Sequence, residues 1–532
     1  MSSIVQKLPG LWNRRGQKGP AKRKSKAPSA VVLMTILAAL LLTMLLGAVI
    51  ALGAVQLTVL LTGLLVFVPL VLFINTRMLL PVVFVLVFVV QGTVEYFLHM
   101  RLAVWMASGV CGLFFLRALL ELATQDRIRT SGAMRVSGGG AILAAGCLYL
   151  AFYFFSLSLG HARPIQIVST LRFTLPMWGV LFALYWFDWS EHRLVQLWNL
   201  MVIVMVLQFP VVLFQHFFNM GTVGWDNVVG TFGSGMSPIL VMFTLATMMY
   251  LLARWARGLT PIYVVVLAGI VAFAVIILGE VKAVLFWFPV GIMWVVRRRM
   301  LRNVLAFVMF SCIAFAFCSV TYTAYKAMYW GAAHGKDDTM SEKIDSISAY
   351  VVDPNNINYR TGEISRGAGL MLWYTDTLPT TMERMIGFGP SAAMIGASTG
   401  KGVVAQRYHP LMIGSTTLAV LLWDVGIIGA IVYVSIFIIT IVTGYRFVRK
   451  GEASPLVLVL VDTSTGVVAL LMSTLIYDQK LLYEPPLQLL WLFCVGTIVQ
   501  CCRFRRQPVA TSPGINAVGS SGAISHRASV NA

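Results

Sequence analysis

The sequence predicts an all-α polytopic membrane protein with about fourteen transmembrane helices and one large, partly helical periplasmic loop. Three observations predict this class. Composition is the first: 58% of the 532 residues are hydrophobic and only 11% charged, against about 25% charged in soluble chains. Mean hydropathy is +0.83. The second is run length, since apolar stretches of about 20 residues recur, each long enough to cross a ~30 Å hydrocarbon core. The third is charge placement. The net charge of +20 gathers in an N-terminal tail and at the ends of apolar runs, where membrane topology is encoded. It does not form the water-facing basic stripe of a nucleic-acid binder, so no nucleic acid is expected as a partner.

Residues 1–29 read as a basic cytosolic tail, with Arg14, Arg15, Lys18, Lys22, Arg23, Lys24 and Lys26 among Gly, Pro and Ser. Residues 30–321 read as a membrane bundle of about eleven spans. Residues 322–411 form the large loop, and 412–502 hold about three more spans, the first of them long enough to contain a kink. Residues 503–532 read as a disordered cytosolic tail rich in Ser, Gly and Ala. The positive-inside rule supports this order. With the N-terminal tail in the cytosol, the connections holding Arg77, Arg127/Arg129/Arg135, Arg193, Arg254/Arg257, Arg297/Arg298/Arg299/Arg302, Arg446/Arg449/Lys450 and Arg503/Arg505/Arg506 all fall on the cytosolic side. The loop at 322–411 then lies outside, and both termini lie inside.

Seven cysteines are present, none in that loop. They show neither a CxxC nor a zinc spacing, so they read as small membrane-core residues. No Walker loop, dinucleotide glycine fingerprint or metal-ligand pattern occurs, and neither a cofactor nor a metal is expected.

Four features of the outer face carry candidate chemistry. The turn Gly160-His161-Ala162-Arg163 precedes Arg172, a cation inside a span, which either snorkels or faces a cavity. Gly279-Glu280-Val281-Lys282-Ala283 joins two apolar runs. It either holds a tight turn or presents a fixed cation to a lipid pyrophosphate. Arg360, Glu363 and Arg366 recur at helical i, i+3, i+6 spacing, followed by Trp373 and Gly387-Phe388-Gly389-Pro390, a turn whose amides can point at an anion. Arg407-Tyr408-His409 precedes the long span, and His409 is a candidate base for a hydroxyl.

Three stretches, two of them among these features, resemble the O-antigen ligase / O-antigen polymerase superfamily of bacterial envelope polysaccharide synthesis. Gly279–Ala283 looks like that family's Ser/Gly-rich outer turn, with Lys282 in place of its cation. Arg366 through Trp373 to Gly387-Phe388-Gly389-Pro390 is similar to its "Arg … Trp … Gly-x-Gly-Pro" segment. Ser415-Thr416-Thr417-Leu418 through Asp424-Val425-Gly426-Ile427-Ile428-Gly429 looks like its "His-Asn-x-Tyr-Leu … Glu-x-Gly-Ile-Ile-Gly" helix, with Ser415 at the family's His and Asp424 at its Glu. The likeness covers roughly 220–440. It implies an enzyme of the inner membrane that transfers or polymerises polyprenyl-pyrophosphate-linked oligosaccharide at the periplasmic face, among membrane lipids and other polysaccharide assembly proteins. Lys282, Arg360, Arg366, Arg172 and Arg163 are the expected diphosphate or glycan ligands. His409, Glu280 and Glu363 are the expected acid–base groups. Rival readings are ligation to a lipid acceptor, a polysaccharide transporter or flippase, and a non-catalytic assembly partner.

Overall fold

In the computed structural model, the described residues are 74–100, 103–124, 139–160, 162–219, 228–300, 303–327, 353–396 and 400–503, with scattered positions from 40 to 73. The basic tail at 1–29, most of the first two spans at 30–51 and 54–74, the arginines at 127–135, residues 328–352 of the large loop and the tail after Arg503 lie outside them. Two compact units divide near Thr62. In the first, helical turn ends at Gly53, which takes φ +68° and donates its N–H to the Ile50 carbonyl.

The second unit is all-α. Its long helices are α1 (Thr76–Phe97), α2 (Ala103–Thr124), α3 (Gly139–Leu159), α4 (Pro164–Trp186), α5 (Glu191–Asn219), α6 (Ser237–Ala256), α7 (Ile262–Leu278), α8 (Val284–Met300) and α9 (Val304–Tyr325). Short elements follow: α10 (Arg366–Thr375), α11 (Thr381–Ile386), a two-stranded antiparallel ribbon of β1 (Ile395–Gly396) and β2 (Gly400–Lys401), α12 (Val403–Arg407) and α13 (Thr417–Asp424). The chain closes with α14 (Gly426–Lys450), α15 (Pro455–Thr474), α16 (Lys480–Tyr483) and α17 (Pro485–Cys501). Nine helices among the described residues are long and apolar enough to cross a membrane. The chain is a multi-pass membrane protein.

The helix limits follow from local chemistry. Ser454 accepts the Val457 N–H at 3.2 Å and Pro455 fills the first helical position, so α15 starts there. Gly451 takes a left-handed φ of +68° after Arg449 and Lys450, which ends α14 where cations suit the helix dipole. The long span expected from 412 is two helices. Thr416 caps α13, accepting the Ala419 N–H at 3.1 Å, and Gly426 breaks the run at φ +67°. A Cβ on Gly426 would meet the Met385 backbone at 2.5 Å, so the break accommodates α11 against it.

Helix-end contacts sort into two sets. At one end, Arg257 and Arg297 pair with Asp462 of α15 at 2.9 and 2.8 Å. Arg298 donates to the Val448 carbonyl, and Arg503 to that of Tyr185. Arg254 reaches Tyr250 and Thr260. We call this the arginine end. The segment 353–424 docks at the opposite end, called the loop end.

Candidate functional site

The site is built at the loop end, beginning with how the 353–424 segment folds. Asn358 Oδ1 accepts the N–H groups of Arg360 at 3.0 Å and Thr361 at 3.2 Å. Gly362 turns the chain at φ +77°, and Ile357 bridges Ile364. Residues 358–363 are therefore a tight turn, and Ser365 caps α10 by accepting the Ala368 N–H at 3.0 Å. Arg360 and Glu363 do not share a helical face with Arg366. Turn chemistry at Asn358 and Gly362 overrides the i, i+3 spacing. Both sit exposed on the turn, and His409 is exposed on the neighbouring Pro410 connection, where Met412 donates to the Gly362 carbonyl at 2.7 Å.

The amides of the Gly387-Phe388-Gly389-Pro390 turn point at main-chain carbonyls rather than at an anion, and the residues that follow it hold a carboxylate of the protein itself. The Asp424 carboxylate accepts the N–H of Ser391 at 3.0 Å and of Ala393 at 2.9 Å. Phe388 and Gly389 donate to the carbonyls of Trp423 and Asp424 at 2.9 and 3.0 Å. Ser156 of α3 donates to the Ile386 and Asp424 carbonyls. Gly160 and Gly389 meet so closely that a Cβ on either would stand 2.7 Å from the other's Cα. The glycines thus permit backbone-to-backbone docking of the loop on α3 and α13. Burial pushes the Asp424 carboxyl up to about 7, against the pull of those amides.

Beside this clamp runs a belt of charge. Arg366 lies 4.2 Å over the Tyr477 ring and donates to the Tyr477 carbonyl. Tyr477 packs edge-on against Trp287 of α8, near the turn that carries Lys282. Asp478 follows; burial raises its carboxyl while Lys480 and Arg366 pull it down. Lys480 donates to the Gly235 carbonyl. Gly233, on the same connection, faces the Glu95 carboxylate, which would stand 2.4 Å from a Cβ there. Glu484 precedes α17, and burial pushes its carboxyl up to about 7. Glu95 adds to that rise, and Lys480, then Arg172, oppose it.

Arg172 completes the belt. Its guanidinium lies 3.7 Å from the Trp105 ring centroid and 3.9 Å from that of Phe173. Its Nε and Nη1 are buried without a hydrogen-bond acceptor among the described residues. A buried donor left unpaired in protein costs about 1–3 kcal/mol, more when charged. Two hydroxyls nearby are also orphaned: Tyr483 Oη, and Ser415 Oγ, which packs on Gly369 of α10.

Of the residues expected from sequence, the structure brings Arg366 and Arg172 into this belt. Lys282 lies exposed on the α7–α8 turn with Glu280, which takes a left-handed φ of +51°. Arg163 is exposed before α4, where its N–H donates to Gln166 Oε1 at 3.0 Å. His161 lies outside the described residues. Sequence reasoning missed Glu95, Asp478, Lys480 and Glu484. The available signal was the 475–484 connection, which holds three charges where other short outer turns hold few. Among the described residues no group of three or more His, Cys, Asp or Glu side chains can hold a metal. The belt can bind a multivalent anion at its cations and accept a proton at its carboxylates. No protein-family model and no curated protein sequence matches the chain.

Proposed function

We propose that the protein transfers or polymerises glycan units carried on polyprenyl pyrophosphate, with the loop end at the periplasmic face of a bacterial inner membrane and both termini in the cytosol. The observation that carries the reading is Arg172. A guanidinium with two buried nitrogens that find no acceptor among the described residues calls for an anionic ligand, and Lys480 and Arg366 stand in the same belt. A lipid diphosphate brings oxygens to that depth, about 12 Å along α4 from its first residue at 1.5 Å per residue. Cations there stabilise the charge that develops on the leaving diphosphate. The order of motifs that resemble the O-antigen ligase / polymerase superfamily supports the same chemistry, with the acceptor sugar or lipid deciding between polymerase and ligase. A flippase is less favoured, since transporter sites lie near the bilayer midplane and this belt lies at one end of the bundle.

The test is turnover of a polyprenyl-pyrophosphate oligosaccharide by the purified protein in lipid nanodiscs. New glycosidic linkage is expected, and Arg172→Ala should lower it by about 100-fold or more, the scale of a lost transition-state donor. Full activity in that variant would sink the assignment. Movement of the substrate across a vesicle bilayer without linkage would make the protein a flippase.

A further inference from the structure

We infer that Glu484 is the general base that takes the proton of the acceptor hydroxyl, a step that rests on the transferase reading above. Of the carboxylates at the loop end, Glu95 is turned onto Gly233, where it would stand 2.4 Å from a Cβ, and Asp478 is engaged: its Oδ1 accepts the Lys480 N–H at 3.1 Å. Asp424 is spent on the Ser391 and Ala393 amides. The Glu484 residue is half-buried, and its side chain accepts no hydrogen bond among the described residues, which leaves the carboxylate to a ligand hydroxyl.

Its backbone, by contrast, is held rigidly. The Glu484 N–H donates to the Lys480 carbonyl at 2.8 Å, and its own carbonyl accepts the Gln488 N–H at 3.2 Å. Pro485 and Pro486 follow, which fix the start of α17 and keep Glu484 extended at φ −103°, ψ 114°. A reacting group on such a support is pre-oriented. Tyr483, the residue before it, packs edge-on against Phe173 beside Arg172, with ring centroids 5.7 Å apart, and the charged groups that act on Glu484 are Glu95 from α1, Arg172 from α4, and Asp478 and Lys480 from the 475–484 connection. Two anions and two cations surround it, which leaves burial to set its basicity near neutrality, where a general base works best.

The step balances without an added reactant. The acceptor oxygen forms a bond to the anomeric carbon of the donor sugar. The bond from that carbon to the pyrophosphate oxygen breaks, and its electron pair leaves with the polyprenyl pyrophosphate, whose charge Arg172 and Lys480 receive. The acceptor proton passes to the Glu484 carboxylate and then to water. The acid–base groups expected from sequence sit elsewhere: Glu363 on the 358–363 turn, His409 beside it, and Glu280 on the α7–α8 turn.

The experiment compares wild type, Glu484→Gln and Glu484→Asp in nanodiscs, measuring linkage turnover against pH and, separately, binding of polyprenyl pyrophosphate. Wild-type turnover should rise with pH through about 7, as the base ionises. Glu484→Gln should lose about 100-fold in turnover and the pH step with it, while binding the lipid as wild type does. Glu484→Asp should keep a displaced step. Turnover by Glu484→Gln within about threefold of wild type, or a loss fully explained by weaker lipid binding, would overturn the assignment. If Glu484→Gln does not fold, the Glu484→Asp profile decides, and an unmoved step overturns it. Absence of linkage in wild type at every pH would instead remove the transferase reading, and the base with it.

Discussion

The two ends of the bundle treat buried charge in opposite ways. At the arginine end, Asp462 is buried within α15 and both its oxygens are taken, one by Arg257 and one by Arg297. At the loop end, Arg172 keeps two buried nitrogens without an acceptor, and Glu484 accepts no hydrogen bond among the described residues. Burying an ion is costly and the cost is recovered only by well-placed partners. Around Asp462 it is recovered within the protein, tying the end of α6 to α8 and α15. The loop end leaves it outstanding, which is the condition expected of a site completed by ligand.

Substitution breaks this comparison most severely at Asp462. Asp462→Ala strands Arg257 and Arg297 against an apolar helix, and a broken buried pair costs about 3–5 kcal/mol. The expected result is a large fall in thermal stability in detergent. An unchanged melting temperature would mean that the triad is solvated. Arg172→Met should behave in the opposite sense. It removes a guanidinium whose Nε and Nη1 find no acceptor among the described residues and keeps an apolar side chain against Trp105 and Phe173, so stability should hold or rise while linkage activity falls. A destabilised Arg172→Met would show that the guanidinium is structural.

The Asp424 clamp lies between these extremes. Asp424→Ala leaves the Ser391 and Ala393 amides without an acceptor, which costs on the order of 3 kcal/mol. The clamp also carries a pH dependence with a definite sign. The docked carboxyl titrates near 7, well above its ordinary value of 3.8. The docked state therefore holds the proton more tightly than the undocked one. Its contribution to stability is complete below about pH 4 and is lost as pH rises through about 7. Wild type should accordingly lose stability from pH 5 to pH 8 relative to Asp424→Asn, by roughly the scale of one to a few kcal/mol. Parallel melting curves for the two proteins would refute the clamp's titration.

Much of this architecture was legible in the sequence, and the exceptions share a cause. Helix limits such as 139–159 and 455–474 follow from apolar run length and capping residues, which are local. Arg366 and the Gly387–Pro390 turn were legible because short motifs carry them. What escaped depends on contacts distant in sequence. The break at Gly426 reads as continuous apolar span until the Met385 backbone is seen beneath it. The Arg360–Glu363–Arg366 spacing fits a helix, but Asn358 and Gly362 set a turn there that the spacing does not show. Glu484 and Lys480 sit in a short polar turn like many others. They become a site only when the ends of α1, α4, α6 and α10 converge on that turn.

Glu280 offers the smallest and cleanest test of how far the active chemistry extends along the loop end. It is one of three described non-glycine residues with positive φ, at +51°, and it lies in the α7–α8 turn two residues before Lys282. A side chain in that region costs about 1 kcal/mol, which glycine does not incur. If Glu280 only shapes the turn, Glu280→Gly should raise stability by about 0.5–1 kcal/mol with linkage activity unchanged. If its carboxylate takes part in catalysis, the same variant should gain stability yet lose turnover. Because the strain is relieved in either case, a rise in melting temperature certifies the fold and leaves turnover to report the role. Glu484 predicts the first outcome: with the acceptor's proton taken in the belt, a second carboxylate on the α7–α8 turn has no proton to receive.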